Sequence, residues 1–236
     1  MATQHSMLDN CQMTYARDEA IKLIEWLLPE LRPGDALAVE MPFLDVRRKA
    51  DVMAVGVNRL SAIEIKGPRD NFRRLAEQLD DYRRMFLDVS LAVPEQHLAA
   101  ARELVSRDIG IILLGDSSAS WVRMPRRRRR LKPDSAVRWL DSTDLAALVG
   151  SSIVRGQGIE EARRVAIASN SEAKLTDLAL RAVIDRCHDR FTAFLQEKGP
   201  AVDLDDLQLL ALSSKLRVQP KHLPRQMEID PNGDPK

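Results

Sequence analysis

"LSAIEIKGPRDNFRRLAEQLDDY" (60–82) begins as one kind of structure and ends as another. Residues 60–66 read as a strand: Leu60, Ala62, Ile63 and Ile65 are apolar, and Gly67-Pro68 stops the extended run. From 69 the period changes. Phe72, Leu75, Leu79, Tyr82 and Phe86 recur at steps of three and four, which predicts an amphipathic helix over 69–87. A strand leading directly into a helix is half of a parallel crossover. The strand itself contains a contradiction, because Glu64 and Lys66 carry charge in a segment that should be buried. Buried charges are costly unless they are paired, bind an ion or sit at the open end of a strand.

Working outward, two further strand-like runs precede it, "ALAVEMPF" (36–43) and "ADVMAVG" (50–56), and "VNR" joins the second to residues 60–66 as an antiparallel hairpin. An apolar stripe of Ala20, Leu23, Ile24, Leu27 and Leu28 predicts a first helix that stops near Pro29 or Pro33. Downstream come a strand over 89–94, a helix through "EQHLAAARELVSR" and a strand over 110–115. This alternation predicts an α/β domain over 16–123, a mixed β-sheet flanked by helices. Residues 141–149, 158–168, 171–198 and 203–217 read as helices, so an all-helical region is expected over 135–217. Between the two lies a basic stretch, 124–134, read as a linker. Residues 1–15 and 218–236 are polar, aperiodic or proline-rich, and flexible ends are expected there.

Asp51 opens the second strand of the hairpin, and Glu64 lies near the end of the third. Residues so placed on antiparallel neighbours become cross-strand partners. Two converging carboxylates make a hard-oxygen site suited to Mg²⁺ or Mn²⁺. Lys66, two residues beyond Glu64, projects from the same face. Its ammonium cannot bind a metal, but it can orient water or stabilise charge growing on a phosphate. The backbone carbonyl of Ile65 lies within reach of the same place.

Asp51 followed by Glu64-x-Lys66 on adjacent strands, and then by a helix, resembles the PD-(D/E)XK superfamily of restriction-endonuclease-like nucleases. Gln78 and Tyr82 supply the Q-x-x-x-Y spacing that RecB-like members place after this strand. The combination looks like a bacterial and phage branch of that superfamily. The resemblance covers residues 17–115 and implies a restriction-endonuclease-like sheet and a Mg²⁺- or Mn²⁺-dependent nuclease acting on DNA. It places Asp51, Glu64, Lys66, Gln78 and Tyr82 in the catalytic set, with Asp51, Glu64 and the Ile65 carbonyl as metal ligands. Such nucleases often draw another acid from the first helix. Glu19 and Glu25 qualify here, and Glu40, which interrupts the first strand, competes with them. Ala50 stands where the motif has proline. A second "EAK", Glu172 to Lys174, lies in a helical segment without a partner aspartate and is a decoy.

Lys and Arg total 36 against 35 Asp and Glu, so net charge alone points to no partner. The charge is nevertheless unevenly spread. Arg126, Arg127, Arg128, Arg129 and Arg130 are consecutive; such a run repels itself and is suited to phosphates. Arg47, Arg48 and Lys49 before the second strand, and Arg74 on the helix, are further candidate nucleic-acid contacts. DNA is therefore the expected partner, and RNA and a homodimer stay open. The competing expectation is a nuclease-fold factor of phage or mobile-element origin that binds nucleic acid or protein without cutting. Cys11 and Cys187 have no metal or disulfide spacing, and Cys187 reads as core filler. Without an apolar leader or a spanning segment, a soluble cytoplasmic protein with no membrane partner is expected.

Overall fold

The computed structural model describes residues 18–45 and 47–212. The sequence-derived flexible ends, 1–15 and 218–236, lie outside the described residues. A six-stranded sheet in sequential order forms the centre: β1 (Ala36–Phe43), β2 (Arg48–Gly56), β3 (Arg59–Ile65), β4 (Asp88–Pro94), β5 (Gly110–Leu114) and β6 (Ala119–Arg123). β1, β2 and β3 form an antiparallel meander; β4 and β5 add in parallel, and β6 returns antiparallel. Each parallel step needs a crossover. Helix α2 (Leu75–Met85) supplies the one from β3 to β4, and α3 (Glu95–Leu104) the one from β4 to β5. The mixed α/β architecture and the helical C-terminal region match the expectation from sequence.

Helix α1, residues 18–27, buries Ala20, Leu23, Ile24 and Leu27 as its periodicity predicts, and passes into a 3-10 turn at Leu28–Glu30 where Pro29 removes a backbone donor. Helix α2 starts later than its apolar stripe suggests. Residues 69–74 are turns, in which Asp70 Oδ2 accepts the Gly67 N–H at 2.8 Å and Asn71 Oδ1 accepts the Arg73 N–H at 3.1 Å. Short polar side chains that bond their own backbone compete with helix formation. Gln78 and Tyr82 therefore lie on the helix, whereas Asp70 and Arg74 precede it. Strand β6 was not anticipated, because "ASWVR" is short and Ser120 and Arg123 interrupt its apolar residues.

The helical region is α4 (Pro133–Ala136), α5 (Ser142–Val149), α6 (Ser151–Gln157), α7 (Ile159–Ser169), α8 (Glu172–Glu197) and α9 (Leu204–Leu210). Asp141 and Asp203 each open a helix with a reciprocal capping box, to Asp144 and Asp206 respectively. Gly150 and Gly158, with φ of 96° and 86°, separate α5, α6 and α7. Helix α8 packs on β1 and β2, and one continuous hydrophobic core joins the sheet to the helices. Phe43, Tyr82, Phe86 and Trp139 carry this core across, each successive pair meeting at ring-centroid distances of 5.3–5.6 Å. Cys187 is buried in α8, and burial pushes its thiol up to about 12, so it is packing.

The basic stretch 124–134 is a structured strap rather than a free linker. The Arg126 N–H donates to the Asp108 carbonyl and the Arg128 N–H to the Leu87 carbonyl, both at 2.8 Å, and the Leu131 N–H donates to Thr176 Oγ1 at 3.1 Å. Gly110 permits its close approach, since a Cβ there would sit 3.0 Å from the Pro125 nitrogen. At the opposite edge of the sheet, Ala211 forms a parallel bridge with Val39 and the Leu212 N–H donates to the Val39 carbonyl at 3.2 Å. Among the described residues no helix is long and apolar enough to cross a membrane.

Candidate functional site

The meander places Asp51 beside Glu64, one residue beyond the paired Val52 and Ile63. Asp51 Oδ2 accepts the Ile65 N–H at 2.8 Å, which pins the carboxylate across the two strands. Glu64 is 2% exposed and both its oxygens are engaged. Oε1 receives the Lys66 ammonium at 2.6 Å and Oε2 the Tyr82 hydroxyl at 2.7 Å. Lys66 also donates to Gln78 Oε1 at 3.0 Å. Strands β2 and β3 and helix α2 thus bring Asp51, Glu64, Lys66, Gln78 and Tyr82 into one cluster.

Its electrostatics follow from burial. Desolvation, and then the neighbouring Glu64 carboxylate, hold the Asp51 carboxyl well above its usual range. Burial, reinforced by both carboxylates, raises the Tyr82 phenol well above its usual value, so it remains a neutral donor. The phenol oxygen lies 3.0 Å from the Lys49 carbonyl and accepts the Asp51 N–H at 3.3 Å, tying the start of β2 to α2. Two carboxylates facing one ammonium leave excess negative charge, and their hard oxygens suit a divalent cation. The donor set of Asp51 and Glu64, with the Ile65 carbonyl in the same strand, fits Mg²⁺ or Mn²⁺ in charge and chemistry.

The additional acid expected from sequence is not in the cluster. Among the described residues no three His, Cys, Asp or Glu side chains gather as a metal site. Glu40 follows Val39↔Val52 and precedes Met41↔Ala50, so the register sets it opposite Asp51. Its φ of 49° turns it out of the pleat, and its exposed carboxylate meets Lys49 at 3.3 Å. Glu19 is buried in the first turn of α1, where desolvation raises its pKa and Lys22 lies 3.8 Å away. Glu25 Oε1 accepts the Val202 N–H at 3.0 Å and so anchors the segment before α9.

The basic candidates also separate. Arg48 lies on β2 and is paired to α2, through Asp81 at 2.7 Å and through Glu77. Arg47 and Arg74 are exposed in turns, and Lys49 pairs with Glu40. Arg126, Arg127, Arg128, Arg129 and Arg130 line a groove of about 950 Å³, which Arg83 and Arg107 join. Beside the groove Arg127 pairs with Asp88 at 2.8 Å, and Arg128 donates to the Arg83 and Phe86 carbonyls at the end of α2. Arg83 and Arg107 gave no sequence signal, since only the tertiary fold brings α2 and the loop before β5 beside the strap.

Residues 12–211 match the bacteriophage P4 protein cII family. Protein cII of Enterobacteria phage P4 is 30% identical over 107 residues, which cover 44% of this chain and 40% of that protein. A solved protein of unknown function from Silicibacter pomeroyi is 23% identical with a TM-score of 0.40, over 61% of this chain and 90% of the other. With most of its length matched, the chain belongs to the bacteriophage P4 protein cII family.

Proposed function

We propose that this protein is a Mg²⁺- or Mn²⁺-dependent nuclease that hydrolyses phosphodiester bonds in DNA. The observation that carries this reading is the meeting of Asp51, Glu64 and Lys66, on neighbouring strands, with Gln78 and Tyr82 from the following helix. Asp51 and Glu64 hold the cation, which when bound polarises the phosphate and lowers the pKa of a coordinated water. Lys66 places its ammonium where charge grows on the phosphate. Gln78 orients Lys66, and Tyr82 fixes the Glu64 carboxylate. Hydrolysis of single- and double-stranded DNA with Mg²⁺ or Mn²⁺ tests this, comparing the parent protein with Asp51→Ala and Lys66→Ala. Loss of cutting in both variants is expected, and equal activity in all three overturns the assignment.

A second reading is a non-catalytic factor of phage origin that binds nucleic acid or protein. It is favoured by the closure of Glu64, whose oxygens are both taken by Lys66 and Tyr82. Calorimetric titration with Mn²⁺ separates the two: heat that vanishes in Asp51→Ala supports the nuclease, and no heat with DNA affinity retained supports the binding factor.

A further inference from the structure

The face of the sheet turned away from the Asp51 cluster holds a second cavity, of about 530 Å³. Side chains alternate along a strand, so Ser61 and Ile63 of β3 and Asp88 and Ser90 of β4 point there while Glu64 points to α2. Its wall contains two tryptophans. Trp26 of α1 and Trp121 of β6 meet edge to face at 5.3 Å, and Trp121 remains 38% exposed. The Ser61 hydroxyl is buried against this cavity and has no hydrogen-bond partner among the described residues. Arg127 and Asp88 are the join: Arg127 lines both this cavity and the arginine groove, and holds Asp88 at 2.8 Å.

We infer that groove and cavity form one binding track for single-stranded nucleic acid, separate from the Asp51 cluster. An arginine groove holds any polyanion, but an indole beside it adds a surface for a base. Single-strand binders combine these two elements, a basic groove that follows the backbone and aromatic rings on which bases stack. A base reaches Trp121 only when it is unstacked and turned into the concavity, which a paired duplex resists. The volume lies within the range of small-ligand pockets and accommodates a nucleoside. The Ser61 hydroxyl then gains a polar partner from the base or sugar.

Fluorescence anisotropy of a labelled oligothymidylate, in EDTA so that no cutting intervenes, tests the track with the whole protein. Binding is expected to quench tryptophan emission and to exceed that of a duplex of equal length. Trp121→Ala weakens binding about tenfold and Trp121→Phe much less, as loss of one stacked base predicts. Arg129→Ala/Arg130→Ala makes the plot of log affinity against log salt shallower by about 1.4, for two lost phosphate contacts. Because EDTA removes the divalent cation, binding is read without the metal of the proposed catalytic cluster, so a failure of the track and a failure of cutting are told apart. The inference is overturned if no oligonucleotide binds, if duplex binds equally well, or if Trp121→Ala binds as the parent does while circular dichroism shows it folded.

Discussion

Lys66 sets its ammonium 2.6 Å from Glu64 Oε1, and this pair is buried, with Lys66 9% and Glu64 2% exposed. A buried pair is most sensitive to loss of one member, since the other is left charged and dry. Glu64→Ala is expected to cost about 3 kcal/mol in urea denaturation. Glu64→Gln/Lys66→Met removes both charges, and recovery of most of that loss without recovery of cutting is expected. A double variant no more stable than Glu64→Ala would count against the pair as the source of the cost.

Asp51 makes stability depend on pH. Its carboxyl is raised by burial and then by Glu64, so protonation favours the folded chain. That contribution is complete below the unfolded value of about 4 and is lost as pH rises through the folded value. In EDTA, Asp51→Asn should therefore melt above the parent protein at pH 8, with the difference shrinking toward pH 4. Mg²⁺ should raise the melting temperature of the parent protein and leave that of the variant unchanged. A melting difference constant across this range would remove Asp51 as the titrating group.

Tyr82→Phe separates the hydroxyl from the ring. The ring contacts with Phe43 and Phe86 survive, but Glu64 Oε2 loses its donor and the Asp51 N–H its acceptor. Buried acceptors left unsatisfied cost about 1–3 kcal/mol. Chemical denaturation should show a loss in this range, and DNA cutting should fall with it as Glu64 loosens.

Asp45 joins the β1–β2 turn to the helical region, accepting from Arg138 at 2.7 Å and from the buried Arg163 at 3.0 Å. Its φ of 55° is left-handed, a conformation that Asp and Asn tolerate better than Ala. Asp45→Ala should cost about 2 kcal/mol, combining backbone strain with weakened pairing of Arg163. Asp45→Asn should lose about half as much, since it keeps an acceptor and the backbone preference. Equal losses in urea titrations would show that the backbone contributes nothing.

Much of this was legible in sequence because period and chemistry agreed. The strand breaks at Gly67, the apolar stripe from Leu75 and the Asp51–Glu64–Lys66 spacing lead directly to the observed meander and crossover. Where reading failed, local hydrogen bonds or distant partners decided the outcome. Asp70 and Asn71 hold turns where apolar spacing alone predicts helix. Glu40 leaves the site because of a single left-handed φ, a backbone choice that side-chain alternation does not encode. The arginine run reads as a linker because its anchors, the carbonyls of Leu87 and Asp108, are main-chain atoms on distant segments.

The contact of Ala211 with Val39 gives the last described turn of chain a protective role. β1 is the outermost strand on that side, and an uncovered outer strand offers its backbone to another molecule. Residues 211 and 212 act as a stopper on that rim. A chain ending at residue 203 is expected to self-associate in light scattering, whereas one ending at residue 214 stays dispersed.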